Sequence, residues 1–99
     1  MKTIIEKIEG FNLQEYDDGS SVLLNSDIGI VHMLNTTAAL LYRLCNKRID
    51  KELLFEKFIN EMDLSSTEIT VDEIRNDFET VMRDFIDRGI FDCKQEDTL

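Results

Sequence analysis

The side chains that could do chemistry are few, and their spacing assembles no reaction centre. His32 is the single histidine, so a metal site or general base would start there. Metal binding needs further ligands at characteristic spacing, and none flank it. His32 lies within the apolar run Ile30 to Leu34 and reads as a strand residue turned towards a polar rim. Cys45 and Cys93 form no CxxC pair. They read as reduced thiols, with Cys45 packed as a small hydrophobe. The four glycines are isolated, so no glycine-rich loop cradles a phosphate. There is no GxSxG, and Ser20-Ser21 is a turn pair. Carboxylates are abundant, but they fall on helix faces, caps and turns. The reading is a protein without its own active site, cofactor or metal.

Composition narrows the alternatives. The chain has 99 residues, is 42% hydrophobic and carries 21 acids against 11 bases, a net charge of −10. That length suits one domain, residues 1–99, and a modest core without staples. The acid excess opposes nucleic-acid binding, which needs clustered Lys and Arg. Only Lys47-Arg48 are adjacent cations. No apolar run approaches the roughly 20 residues of a membrane span. Glu6 comes too early for a secretory signal, so a cytoplasmic location and no membrane partner are expected.

The elements follow from periodicity and punctuation. "FNLQEY" (11–16), "SVLLN" (21–25) and "IVHML" (30–34) read as three antiparallel strands joined by the turns "DDGS" and "SDIG". Three helices follow. The first starts near Asn35 or Thr36, whose side chains can cap it, and ends at a left-handed Asn46 beside Lys47 and Arg48. The second starts at Asp50, with Ile49 and Leu54 as a hydrophobic staple. It buries Leu54, Phe55, Phe58, Ile59 and Met62. The third starts from the capping box Thr70-Val71-Asp72-Glu73, stapled by Ile69 and Ile74, and stops at Gly89. The tail after Phe91 reads as frayed. Three strands then three helices make an α+β domain with the content of a winged helix-turn-helix, the strands placed first.

One surface stands out. The third strand, Ile30, Val31, His32, Met33 and Leu34, has neither lysine nor proline to blunt an open edge. On the third helix, at 100° per residue from Ile74, Phe78 sits at about 40°, Met82 at about 80° and Ile86 at about 120°. Arg75 and Glu79 share that flank. If strand and helix run side by side, they wall a groove that can accept an extended peptide as an added strand. About five main-chain bonds near 1 kcal/mol each, plus two apolar anchors, allow micromolar binding. Met82→Asp is then expected to abolish docking and leave the helices intact.

The order of segments resembles the PqqD family, also called RiPP recognition elements. The resemblance runs from "VLLNSDIG" into "LNTTAALLYRLCN", then through "IDKELLFEKFINEM" to "DFETVMRDFIDRGIFD", about residues 11–92. Leu34-Asn35 before a small-residue helix start is its most specific part, and Asp77, Gly89 and Ile90 match the family's third helix. Two departures are "NKR" in place of the usual glycine after the first helix and a long "DLSSTEIT" loop. The resemblance implies a non-catalytic winged helix-turn-helix that binds the leader of a ribosomally made precursor peptide. The leader would add to the third strand and pack against Arg75, Phe78, Glu79, Met82 and Ile86. A partner maturation enzyme (a radical SAM enzyme, cyclase or protease) would then act on the peptide. Two other readings stay open: a winged-helix nucleic-acid-binding or regulatory module, and a structural subunit whose groove is filled by another copy.

Overall fold

The computed structural model describes residues 2–62 and 70–96. In chain order the elements are strands β1 (Lys2–Lys7), β2 (Asn12–Glu15), β3 (Ser21–Asn25) and β4 (Ile30–Leu34), helix α1 (Thr36–Leu44), strand β5 (Arg48–Asp50), helices α2 (Lys51–Glu61) and α3 (Val71–Asp87), and strand β6 (Phe91–Glu96). The three strands and three helices read from the sequence are all present. The sheet β2-β3-β4 is antiparallel, as expected.

Local chemistry explains the first hairpin. The Tyr16 N–H donates to the Ser20 carbonyl at 2.9 Å, and the Gly19 N–H donates back to the Tyr16 carbonyl at 3.0 Å. Gly19, at φ +89°, supplies the left-handed residue that a three-residue hairpin with a bulge requires. The Asp18 carboxylate accepts from the Ser20 N–H at 3.0 Å and the Ser20 hydroxyl at 2.6 Å.

The helix signals are equally concrete. The Asn35 side chain accepts the Ala38 N–H at 2.8 Å, so the residue directly after β4 caps α1. Asp50 accepts from Glu52 and Leu53 at the start of α2, and Ile49 and Leu54 are both buried. Thr70 Oγ1 accepts the Glu73 N–H at 3.2 Å. Ile69, the other half of that staple, lies outside the described residues. At the end of α3, the Gly89 N–H donates to the Ile86 carbonyl at 3.2 Å and the Ile90 N–H to the Phe85 carbonyl at 2.8 Å. That is a Schellman motif, completed by burial of Phe85 and Ile90.

Three expectations need correction. The helix α1 ends at Leu44 with Cys45 extended, and among the described residues only glycines have positive φ, so Asn46 is not a left-handed stop. The chain after Phe91 is not frayed through Glu96, because β6 pairs along the whole of β1. The N-terminal residues, left unassigned by the strand pattern, form the middle of a second antiparallel sheet, β5-β1-β6.

The core fixes how α3 is rotated. Phe78 meets Phe55 edge-on at 5.0 Å and Phe58 at 5.9 Å, both on α2. Phe85 meets Phe91 of β6 edge-on at 4.9 Å, and Tyr42 of α1 stacks on the same Phe91 at 6.0 Å. These contacts turn Ile74, Phe78, Met82 and Phe85 inwards. Fully burying side chains of this size contributes about 1.5–3 kcal/mol each.

Candidate strand-docking edge

The strand β4 is an edge of its sheet, paired with β3 on one side. Which of its backbone groups are free follows from the register. In an antiparallel pair, residues alternate between bonding to one neighbour and facing the other way. Tyr16 and Ser20 are a bonded pair. Stepping by two from there, Val22 and Leu24 of β3 bond to Gln14 and Asn12 of β2. Ser21, Leu23 and Asn25 therefore bond to Leu34, His32 and Ile30 of β4. The N–H and C=O groups of Val31 and Met33 are left pointing outwards from the edge.

The same alternation sorts the side chains. Val31 and Met33 stand on the outer face, 57% and 74% exposed. Opposite them on β3 are Leu24 and Val22, both half-buried. Ile28, in the turn before β4, is 62% exposed. On the inner face Leu34 is buried, His32 is half-buried and Ile30 sits at the margin. His32 does not reach a polar rim. It lies opposite Leu23, which is fully buried, and its ring is 5.8 Å from that of Phe11. Its Nε2 is buried with no hydrogen-bond partner among the described residues.

Edges are hazardous unless they are short or charged. The two sheets have four. The edge β5 is three residues long and carries Arg48 and Asp50. The edge β6 carries Asp92, Lys94 and Glu96, with Arg48 paired to Glu96 and Lys94 to Glu6. The edge β2 is polar and ends in Glu15, which pairs with Arg43. Among the described residues, β4 is the edge strand with no formally charged residue, and its outer face is apolar. Among the described residues it is the edge with the least to oppose another strand.

The wall expected from α3 is not built as the sequence reading drew it. Phe78 and Met82 are 0% and 1% exposed, so they belong to the core, Met82 only touching the floor of the cleft beside Ile86. The width of the apolar stripe, from Ile74 round to Met82, is taken up by α2 and β6. Arg75 is committed to α2. Its guanidinium donates two bonds to Glu52, each 3.1 Å, and lies 3.8 Å over the Phe55 ring. Glu79 accepts from Lys51 at 2.8 Å, also at the start of α2. Ile86 is the member of that set still exposed, at 39%. It borders a small cleft of about 210 Å³ with Lys51, Glu79 and Arg83. The flank thus faces the start of α2, whereas β4 packs on β3 and α1.

Other features are less suited to a site. A cleft of about 440 Å³ lies where β1 hands over to β2. Its walls mix Lys7, Lys47 and Arg48 with Glu6 and Glu9, so it shows no consistent charge for a ligand. Burial lowers the pKa of Lys7, whose ammonium sits 4.0 Å over the Tyr42 ring. Among the described residues, no three His, Cys, Asp or Glu side chains are grouped to hold a metal ion. No helix among them is long and apolar enough to cross a membrane.

No protein-family model matches the sequence, and no curated protein matches it. Among solved structures, the chain shares its fold with TbiB1, determined in complex with the TbiA(beta) leader peptide. The TM-score is 0.66 at 14% identity, covering 92% of this chain and 99% of that one.

Proposed function

We propose that this chain is a non-catalytic recognition protein for the leader segment of a ribosomally synthesised precursor peptide. The leader adds as a strand to β4 and is presented to a maturation enzyme that modifies or cuts the rest of the peptide. The observation that carries this reading is the unblunted edge. Among the described residues, the four outward main-chain groups of Val31 and Met33 have no partner, while the other three edges are short, polar or charged. Sharing a fold with a protein solved on a leader peptide supports the same reading. Four main-chain bonds replace the five expected from sequence. Apolar contacts come from Val31, Met33 and Ile30, with Ile28 at the approach. Phe78 and Met82 are dropped from the binding surface, because they are buried.

The test is a fluorescence-anisotropy titration with labelled leader peptides encoded beside the gene for this chain. Saturable binding in the micromolar range is expected. Met33→Pro removes one outward N–H without touching the β3–β4 ladder, and should weaken binding at least about fivefold. Leaders that never saturate, or binding indifferent to Met33→Pro, would refute strand addition at β4.

A further inference from the structure

We infer that β4 also pairs with β4 of a second copy, antiparallel about a two-fold axis at His32, giving a resting dimer that covers the edge.

The free groups are self-complementary. With the axis at His32, Val31 of one copy lies opposite Met33 of the other, and both residues present outward N–H and C=O groups. Four bonds form and none of the free groups is left over. Shifting the axis by one residue breaks this. An axis at Val31 calls on Gly29, which lies in the turn at φ +67°. An axis at Met33 calls on Asn35, whose carbonyl already accepts the Ala39 N–H at 2.9 Å. The apolar outer face also becomes continuous, with Val31 of each copy beside Met33 of the other.

Charge selects the same occupant. Between Ser20 and Tyr42 the only formally charged side chain is Asp27, in a chain of net charge −10. Two copies can meet there without bringing like charges into contact. Their remaining acids repel at longer range, and the contact is a five-residue strand. The dimer is therefore weak at low salt and tightens as salt screens the repulsion. That sign is opposite to one held by ion pairs. If β4 is also the leader site, leader and second copy exclude each other; this last point rests on the reading above.

Sedimentation velocity of the full chain, without peptide, tests the dimer from about 10 μM to about 1 mM at low and high salt. A monomer–dimer equilibrium that strengthens with salt is expected. Met33→Pro removes two of the four bonds and should weaken it about thirtyfold. In a Cys93→Ser background, His32→Cys should give a disulfide-linked dimer under mild oxidation, because residues paired directly across strands suit that bond. Val31→Cys should not, because it faces Met33 rather than itself. A chain that stays monomeric throughout, a dimer unaffected by Met33→Pro, or an uncrosslinked His32→Cys protein overturns the inference. Leader binding to a strict monomer would sink the dimer and leave the leader reading standing. A His32→Cys dimer that crosslinks, but whose reduced monomer binds no leader, would do the reverse.

Discussion

Met82 gives the sharpest contrast between a helix flank drawn from sequence and the packed helix. As a groove residue, Met82→Asp would remove peptide binding and spare the fold. As the core residue it is, 1% exposed among Ile74, Phe78 and Phe85, the change should unfold the domain. Two terms set the size. Losing the buried side chain costs about 2–3 kcal/mol. Packed among those buried apolar side chains, the new carboxyl stays neutral. Holding it protonated at pH 7 against an ordinary pKa near 3.9 costs about 4 kcal/mol more. The sum, about 7 kcal/mol, rivals the roughly 5–15 kcal/mol total of a small domain. Urea unfolding followed by far-UV circular dichroism should show a protein unfolded or nearly so without denaturant. Met82→Leu should stay within about 1.5 kcal/mol of the parent. The sign with pH adds a check. The folded-state pKa of the introduced Asp is raised, so its penalty is smallest below the unfolded pKa and grows as pH rises. The difference from the parent should therefore shrink towards pH ~4. An unchanged urea midpoint for Met82→Asp at pH 7 would refute the packing argument.

Met33→Lys, at a site 74% exposed, should change stability by no more than about 0.5 kcal/mol, while saturable leader binding is lost in the same anisotropy assay. Gly10 sits at φ +101°, and a Cβ there would come within 2.8 Å of the buried Asn25 amide. Gly10→Ala should cost about 1–3 kcal/mol in urea unfolding, more than Gly19→Ala, whose Cβ meets nothing within 4 Å. Hydrogen bonding from Arg75 holds the Glu52 carboxyl below the usual range. That contribution is complete above the unfolded pKa of about 4.3 and is lost as pH falls through the depressed folded value. The pair is exposed, so a Glu52→Gln/Arg75→Gln cycle should give at most about 1 kcal/mol at neutral pH, vanishing in acid. Burial pushes the Cys45 thiol up, partly opposed by Lys7 and Lys57, while Cys93 is exposed. Ellman's reagent should label one thiol at once and the second only on unfolding.

The elements that declare themselves in sequence are those whose own side chains pay for their order. Asn35, Asp50 and Thr70 cap helices through bonds to residues two or three positions on. Gly19 and Gly89 mark turns that need positive φ. The second sheet gives no such signal. In β1, Ile4 and Ile5 are adjacent and both buried, so there is no alternation to count. The strand β6, "FDCKQE", is polar after Phe91 and mostly exposed. It is held by its ladder to β1 and by ion pairs to Glu6 and Arg48, partners about ninety positions away or on another element. Local patterning cannot show such a strand, because nothing local stabilises it.

The same distinction explains why the open edge of β4 was legible and the packing of the α3 flank was not. Edge quality is a property of a strand's own residues, and the missing charge in "IVHML" could be read directly. A helix flank is different. Periodicity fixes the angle between Met82 and Ile74, but not which neighbour stands at that angle. Here the choice is made by pairs distant in sequence, Arg75 with Glu52 and Glu79 with Lys51, and by Phe78 wedged against Phe55 and Phe58. Those pairs turn the apolar flank of α3 into α2. The outer face of β4 needs no such partner. Val31, Met33, Val22 and Leu24 share it by strand alternation alone, and the signal was already in the spacing of "SVLLN" and "GIVHML". If a leader docks on β4 as proposed, what recognition requires is concentrated in a strand and its register. A substitution that slips β4 by one residue would move Val31 and Met33 to the inner face, and should cost more binding than any single change on α3 that leaves the core intact.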